Sequence, residues 1–292
     1  FLSKPLQFPR LDQSIKRAGE LVRMRREIAH FREQQLQKAK FVVGESQAMR
    51  QVLSQAQRAA AASVSVLVTG QTGSGKEVLA EYIHSAGPRA NKPFIALNCA
   101  AIQSTVLESE LFGYEAGAFT GAEKRKIGLM EVADDGILFL DEISSMPVDI
   151  QAKLLRVIEE KAFRRVGGTA LIKVDLQLIA ASNRDLRKMI EEGTFREDLY
   201  YRLKVVDLHL PPLRDRRADI PDLVGFFIRL NNARQGMNIQ GMTSRAMDIL
   251  TSYAWPGNIR ELRNTIERAM LFCDGAELDI EHLPYDMVNA PD

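Results

Sequence analysis

Cysteine and histidine are both scarce in this chain. Its 292 residues include two cysteines, Cys99 and Cys273, and four scattered histidines without metal-ligand spacing. This usage excludes a disulfide framework and predicts a reducing compartment, the cytoplasm. Cys99 follows an apolar stretch, so we expect a small core residue there and not a nucleophile.

Long apolar runs and an excess of one charge are also lacking. No run approaches the roughly 18 residues of a membrane span, so we expect no membrane partner. The 39 basic residues nearly balance the 38 acidic ones, and a net charge of +1 gives no global field for nucleic acid. The length of 292 residues predicts one large or two modest domains, and a hydrophobic content of 46% is that of an ordinary globular protein. The chain opens on Phe1 without a signal-peptide pattern, which predicts a fragment of a longer protein.

The most informative stretch has the pattern Gly-x-x-x-x-Gly-Lys. It lies between an apolar β-branched run, 64–68, and a helical pattern, 77–83, which is the context of a phosphate-binding loop. Its glycines let backbone N–H groups turn toward a phosphate, and its lysine reaches the outer phosphates. The residues of this loop are Gly70, Gln71, Thr72, Gly73, Ser74, Gly75 and Lys76. Glu77 follows where a Ser or Thr usually ligates magnesium, so Mg²⁺ is expected to take more ligands from elsewhere and from water.

An apolar strand, 136–140, delivers two carboxylates, Asp141 and Glu142, to its C-terminal end. Ligands bind at this end of the strands in open α/β sheets. Asp141 would organise Mg²⁺, and Glu142 would orient or deprotonate a water. The alternative is a helix N-terminus that favours acids. Beside the phosphate loop, however, the two carboxylates predict ATP hydrolysis.

Polar side chains at four further positions are candidates for the same chemistry. Asn98 ends one predicted strand and would either cap it or hold Glu142 in an inactive pose, if the two strands are neighbours. Asn183 ends another strand and would sense the γ-phosphate or place the attacking water. Arg196 and Arg202 would be donated to a neighbouring subunit's nucleotide, with surface salt bridges as the alternative.

Two features indicate partners. A loop of small residues carries one aromatic, which it would present to a partner or hold in a tucked turn, and the residues alone slightly favour the turn. Further along, Asn258 fits the N-cap of a helix whose first turn contains Arg260. An arginine there opposes the helix dipole, which favours an anionic partner such as a nucleotide phosphate. The loop of small residues, the first of these two features, consists of Gly117, Ala118, Phe119, Thr120, Gly121 and Ala122.

The order of elements predicts an α/β fold. From 41 to about 212 strands and helices alternate, which is typical of a parallel sheet with helices on both faces. Residues 214–292 are helical in pattern and predict a small lid. Residues 11–40 predict a long helix with an apolar seam, packed on its own domain or forming a dimeric coiled coil. The candidate strands are 64–69, 93–97, 136–140, 174–182 and 205–210.

Together these motifs resemble the central AAA+ domain of bacterial enhancer-binding proteins, the activators of sigma-54 RNA polymerase. The likeness covers roughly 42–285, and the loop Gly-Ala-Phe-Thr-Gly-Ala is close to diagnostic. A Lys-Glu ending of the phosphate loop also suits this family. The segments that carry the likeness are 70–77, 110–113, 117–122, 138–143, 195–203 and 255–262.

The resemblance implies an ATPase that forms a hexameric or heptameric ring and remodels the sigma-54 holoenzyme so that promoter DNA opens. Asn98 and Glu142 match the family's switch pair, and Asn183 matches its first sensor. Arg196 and Arg202 match its trans-acting arginine fingers.

The same resemblance assigns the remaining candidates. It makes the 117–122 loop the contact with sigma-54, which reverses the preference for a tucked turn. Arg260 matches the sensor in the lid, and Val43 and Gly44 join the nucleotide site.

The resemblance also divides the chain. Residues 1–20 look like the end of a response-regulator receiver domain, and 21–41 would be a linker helix that holds an inactive dimer. Residues 42–213 would be the AAA+ α/β subdomain and 214–292 its helical lid. Enhancer DNA would be bound only by a C-terminal helix-turn-helix domain that this sequence does not include.

Two rival functions stay open at this point. One is AAA+ remodelling of another client, as in a chaperone or helicase loader, and the 117–122 loop argues against it. The other is a non-catalytic regulator that uses ATP only to assemble. The presence of Asp141, Glu142, Arg196 and Arg202 argues against that second alternative.

Overall fold

A five-stranded parallel sheet forms the centre of the structure, which is a computed structural model that describes residues 46–288. The expectations for 1–20, for the linker helix 21–41, and for Val43 and Gly44 lie outside the described residues. The strands are β1 (Val66–Thr69), β2 (Phe94–Asn98), β3 (Gly113–Tyr114), β4 (Lys126–Ile127), β5 (Ile137–Asp141), β6 (Ala162–Phe163), β7 (Ile172–Lys173), β8 (Gln177–Ser182), β9 (Val206–His209), β10 (Gly241–Met242) and β11 (Glu277–Leu278).

Helices separate most of these strands along the chain. Short 3-10 turns at Ile143–Ser145, Leu213–Asp215, Arg217–Asp219 and Ile280–His282 complete the description. The α-helices are α1 (Gln47–Ala62), α2 (Lys76–Ala86), α3 (Ser104–Phe112), α4 (Leu129–Val132), α5 (Val148–Glu160), α6 (Leu186–Glu191), α7 (Glu197–Leu203), α8 (Ile220–Gln235), α9 (Ser244–Ser252), α10 (Asn258–Leu271) and α11 (Tyr285–Val288).

The strand order of the central sheet is β2-β5-β8-β1-β9, and all its neighbours are parallel. Each strand lies within the range predicted from the sequence or extends one residue beyond it. The register places Asn98 beside Asp141 and Thr69 beside Ser182, so the carboxyl ends of these strands meet at one edge. The predicted parallel α/β sheet is therefore confirmed.

Alternation along the central strands divides the core into two faces. In β5, Leu138 and Leu140 belong to one buried cluster, which includes residues of α3, α5 and α7. Ile137 and Phe139 belong to the other, which includes residues of α1 and α2. Strands buried on both faces read as continuous apolar runs, which is why this segment is hydrophobic throughout.

The lid consists of α8 to α11, and its helices match the predicted helical pattern. Trp255 is fully buried in it, and its indole Nε1 donates to the carbonyl of Leu250 at 2.7 Å. The expected N-cap is wrong in one respect, because Gly257 takes the cap position of α10 and Asn258 is the first helical residue. The Asn258 side chain is needed elsewhere, as described below. No helix in the described part of the chain is long and apolar enough to cross a membrane.

Candidate functional site

The phosphate loop connects the end of β1 to the start of α2. The Gly70 N–H donates to the Ser182 carbonyl at 3.3 Å, which ties the loop to the neighbouring strand β8. Gly75 has a φ of 104° and forms the N-cap of α2, whose first residue is Lys76. The Lys76 ammonium donates to the carbonyls of Gly70 at 3.1 Å and Gln71 at 3.3 Å. The loop therefore wraps around its own lysine at a helix N-terminus, which is the geometry of an anion site.

Burial changes the acid–base behaviour of this lysine. Desolvation lowers the pKa of Lys76, and the nearby charges of Glu142 and Asp141 offset part of that effect. The Arg260 guanidinium lowers the pKa further. The structure thus brings Lys76, both predicted carboxylates and the predicted lid arginine within electrostatic range of each other.

The two carboxylates lie at the carboxyl end of β5. Glu142 has a φ of 51°, and its N–H donates to the Asp141 carboxylate at 3.0 Å. A left-handed backbone is uncommon for a residue with a side chain, and such conformations concentrate at functional sites. The turn separates the two acids, so Asp141 stays on the strand while Glu142 begins the following segment.

Asn98 does lie on the strand next to the carboxylates, but its contact differs from the expected one. The amide Nδ2 donates to Asp141 Oδ2 at 3.4 Å, whereas Glu142 was the expected partner. Its Oδ1 accepts from the N–H groups of Ala100 at 2.9 Å and Ala101 at 3.2 Å. Asn98 thus caps its strand end and touches the carboxylate pair through Asp141, because the parallel register sets those two residues side by side.

The remaining predicted amide reaches the phosphate loop. Asn183 follows β8, and its Nδ2 donates to Thr72 Oγ1 at 3.0 Å. Strand β8 lies between the strand that carries the phosphate loop and the strand that carries the carboxylates. Asn183 therefore stands between the two halves of the candidate site.

The lid closes over the same loop at Gly73. A side-chain Cβ at Gly73 would lie 2.4 Å from the Gly257 carbonyl oxygen and 3.0 Å from Arg260 Cβ. Gly73 also has a φ of 76°, so both its conformation and its surroundings require glycine. The first turn of α10, including Arg260, consequently packs directly against the phosphate loop.

The two candidate finger arginines lie at different ends of α7. Arg196 precedes this helix, and its guanidinium binds the Asp198 carboxylate through two hydrogen bonds of 3.0 and 2.6 Å. This contact holds the pKa of Asp198 below its ordinary value. Arg202 is exposed and lines a cavity of about 230 Å³ together with Ser63 and Val205.

This cavity lies at the opposite end of the sheet strands from the phosphate loop. Ser63 precedes β1, and Val205 precedes β9, so both mark the amino ends of their strands. The phosphate loop and the carboxylates occupy the carboxyl ends. Arg202 is therefore remote from the nucleotide site of its own chain.

The 117–122 loop connects the short strands β3 and β4. Phe119 is 46% exposed, and its ring meets the Tyr114 ring edge-on at a centroid distance of 4.9 Å. The Gly117 N–H donates to the Ala122 carbonyl at 2.8 Å, which closes the base of the loop. Gly117 and Gly121 both have positive φ and open space around them. The loop projects from the hairpin with its aromatic half exposed.

Sequence reasoning did not find Arg216 as part of the site. Its Nη2 donates to the Ser74 carbonyl at 2.6 Å, and the residue is only 5% exposed. The acid whose charge acts on it is Asp219, which accepts from the N–H and the hydroxyl of Ser46, each at 2.8 Å. The segment reads as a charged surface turn, and no local pattern separates this buried arginine from its exposed neighbours.

Comparison with known proteins places this geometry in a family. Residues 42–209 match the Sigma-54 interaction domain, and residues 214–292 match the AAA+ ATPase lid domain. The chain belongs to the sigma-54-dependent activators of the NtrC family. Its sheet, lid and loops agree with that assignment, and the expected AAA+ fold is confirmed.

Individual relatives cover nearly all of this chain. The regulatory protein AtoC of Escherichia coli is 46% identical over 286 residues, which are 97% of this chain and 62% of AtoC. The DNA-binding transcriptional regulator NtrC of Salmonella typhimurium is 44% identical over 272 residues, which are 91% of this chain and 58% of NtrC. The chain thus spans less than two thirds of either relative.

Solved structures agree with the fold. The crystal structure of NtrX from Brucella abortus in complex with ADP has a TM-score of 0.81 and 39% identity, covering 98% of this chain and 65% of NtrX. The corresponding complex with ATP has a TM-score of 0.80. A close relative therefore binds both nucleotides on this fold.

The contact at Gly73 leads to a stability prediction. Gly73→Ala and Gly193→Ala both force alanine into a positive φ, but only the first meets a neighbour, because nothing lies within 4 Å of the Gly193 position. Backbone strain alone costs about 1–2 kcal/mol. We expect Gly73→Ala to lose clearly more unfolding free energy in urea than Gly193→Ala. Equal losses would show that the lid does not press on this loop.

Proposed function

We propose that this chain is the ATP-hydrolysing part of a ring-forming activator, which remodels sigma-54 RNA polymerase holoenzyme so that promoter DNA opens. One observation carries the proposal. Lys76, both carboxylates and Asn183 converge at one edge of the sheet, whereas Arg202 faces the other. That division is the arrangement expected of active sites completed by a neighbouring subunit.

The residues present fit a nucleotide with magnesium. The loop glycines, the helix N-terminus and Lys76 form a cradle for phosphates. No cluster of three or more His, Cys, Asp or Glu that could hold a metal occurs among residues 46–288. Asp141 would hold Mg²⁺ together with phosphate oxygens and waters, which is the usual way Mg²⁺ binds in phosphoryl-transfer sites. The ion would neutralise charge on the phosphates.

The chain's own groups supply the remaining chemistry in this proposal. Glu142 orients a water and accepts its proton, and Asn183 places that water or reads the γ-phosphate from its position beside Thr72. Asn98, through Asp141, links the strand β2 to the carboxylate pair. Arg260 approaches the phosphates from the lid. Val43 and Gly44 would complete the nucleotide site.

Arg196 and Arg202 would act on the nucleotide of the next subunit. The ion pair between Arg196 and Asp198 leaves the two side chains 40% and 47% exposed. Exposed pairs of this kind contribute little to stability, so Arg196 can exchange Asp198 for a phosphate at little cost. An arginine beside the transferred phosphoryl group stabilises the charge that develops there. Hydrolysis in this account needs a ring of six or seven subunits.

The 117–122 loop would contact sigma-54. Its base is fixed by Arg165, whose guanidinium bridges the carboxylates of Glu115 and Glu131. Its tip carries the half-exposed Phe119 between two open glycines. A fixed base and a half-exposed aromatic tip suit a loop that presents one side chain to a partner.

The remaining parts of the proposal concern the whole protein. Residues 1–20 would end a receiver domain, and 21–41 would hold an inactive dimer in the cytoplasm. Residues 42–213 and 214–292 would form the two AAA+ subdomains. Enhancer DNA would be bound through a separate C-terminal domain. The printed name of NtrC, a DNA-binding transcriptional regulator, supports the DNA-binding part of this proposal.

Glu142→Gln tests the assigned water activation. We expect ATP affinity to stay within about twofold of the parent and phosphate release to fall at least about 100-fold, because general-base catalysis contributes about that much. Glu159→Gln, an exposed acid on α5, is the matched control and should keep the parental rate. A normal rate in the Glu142 variant would overturn its role.

Phe119→Ala tests the sigma-54 contact. We expect this variant to hydrolyse ATP at the parental rate but to lose the complex with sigma-54 that the parent forms with ADP and aluminium fluoride. Val132→Ala removes apolar surface from a side chain of nearly the same exposure, 45% against 46%, and should keep the complex. If the parent forms no complex with sigma-54, remodelling of another client becomes the better account.

A further inference from the structure

Three successive carbonyls of the phosphate loop accept hydrogen bonds from the lid and from the segment leading into it. The donors come from two parts of the chain, before α8 and at the start of α10. The three bonds are Asn258 Nδ2 to Thr72 O at 3.1 Å, Ile259 N to Gly73 O at 3.0 Å and Arg216 Nη2 to Ser74 O at 2.6 Å.

These bonds determine where the loop's N–H groups point. In a trans peptide the carbonyl of one residue and the N–H of the next point in opposite directions. Holding the Thr72 and Ser74 carbonyls toward the lid therefore turns the N–H groups of Gly73 and Gly75 away from it. Those are the groups that a phosphate-binding loop offers to its ligand.

Asn258 makes hydrogen bonds through both the oxygen and the nitrogen of its side-chain amide. It is fully buried, and its Oδ1 accepts from the Leu213 N–H at 2.8 Å. Its Nδ2 donates to Gln71 Oε1 at 3.2 Å as well as to Thr72. Its φ of 54° places it in the left-handed region, which asparagine tolerates better than most residues. This side chain joins the linker before α8, the first turn of α10 and the phosphate loop.

Arg216 contributes a charge that the surrounding acids do not neutralise by hydrogen bonding. The Nε of this buried side chain has no partner within the described residues, and the carboxylate of Asp219 is bound to Ser46. Burial lowers the pKa of Arg216, and the charge of Asp219 raises it. A buried cation directly behind the loop attracts an anion in front of it more strongly than a solvated one would.

We propose that Asn258 and Arg216 are positioning residues, which hold the phosphate loop from behind so that its N–H groups face the β-phosphate of a bound nucleoside diphosphate. The proposal rests on the nucleotide site proposed above. In this proposal, the position of the lid helix α10 and the affinity of the loop for phosphate depend on the same hydrogen bonds. Any displacement of α10 from the loop releases the loop carbonyls, and the N–H groups lose their fixed direction.

The affinity ratio between ADP and AMP tests this role. Both nucleotides share the adenosine and α-phosphate, so the ratio reports the β-phosphate alone. We expect Asn258→Gly to reduce the preference for ADP over AMP about tenfold, which corresponds to the loss of about 1.4 kcal/mol of hydrogen bonding. Glycine accepts the positive φ at this position, which limits strain. Calorimetric titration gives the ADP affinity, and displacement of labelled ADP gives that of AMP.

Arg216→Met provides a second, independent variant. Methionine of similar length removes the donor to Ser74, and replacing a buried charge by an apolar side chain is often tolerated by the fold. We expect the preference for ADP over AMP to fall by the same factor in this variant, with little change in melting temperature. Asn232→Ala is the matched control, because Asn232 also bridges backbone groups by its amide but within the lid, at the N–H and carbonyl of Ile239. Its ratio should equal that of the parent.

The possible outcomes separate the two proposals. If both variants weaken ADP and AMP by the same factor, or weaken neither, the residues only support the fold and the positioning role is wrong. If the parent chain itself shows no preference for ADP over AMP, the proposed phosphate site fails, whatever the variants do. A compressed ratio in Asn258→Gly and Arg216→Met, but not in Asn232→Ala, supports the positioning role.

Discussion

The close approach of two glycines, Gly73 and Gly257, is the constraint on which the rest of this site depends. Because Gly73 has no side chain, the carbonyl of Gly257 in the lid reaches the backbone of the phosphate loop. That approach brings the Ile259 N–H within hydrogen-bonding distance of the Gly73 carbonyl. It also brings the Asn258 amide to Thr72. A phosphate loop is therefore stabilised here from two sides, by the sheet it grows from and by the lid that covers it.

The order of the sheet strands explains how distant motifs form one site. Strand β8 lies between β1, which ends in the phosphate loop, and β5, which ends in the carboxylates. Asn183 at its end consequently contacts Thr72 on one side and lies next to the strand of Glu142 on the other. Because β9 is parallel to the other strands, its amino end lies at the opposite end of the sheet strands, and Arg202 lies there with it. One topology thus places the groups proposed to serve the chain's own nucleotide at one end of the strands and Arg202, a proposed finger for a neighbour, at the other.

Much of this architecture could be predicted from the sequence, because it depends on local patterns. Apolar runs of strand length bounded by polar residues located the five central strands, and the glycine spacing located the loop at 70–76. The exposure of Phe119 could not be predicted from the local residues, because a loop of small residues slightly favours a tucked turn. The resemblance to a known family resolved that choice in favour of exposure.

Other features depend on contacts between residues far apart in the chain. Asn258 fitted an N-cap by local rules, but its side chain bonds Gln71 across a separation of 187 residues, and Gly257 takes the cap. Asn98 was expected to contact Glu142, whereas the strand register pairs it with Asp141. Arg216 lies in a charged segment, and only the packing of the lid linker behind Ser74 buries it. Local propensity carries no information about such pairings.

Complementation between two inactive variants tests the shared active site most directly. In the proposed mechanism, Glu142→Gln keeps the arginine fingers but lacks the base, and Arg202→Ala keeps the base but lacks a finger. The account predicts that each variant alone releases almost no phosphate from ATP. An equimolar mixture should recover about a quarter of the parental rate, because a quarter of randomly assembled interfaces then combine an intact base with an intact finger. A mixture as inactive as its components, or an Arg202→Ala variant as active as the parent, would contradict the claim that one subunit completes the site of the next.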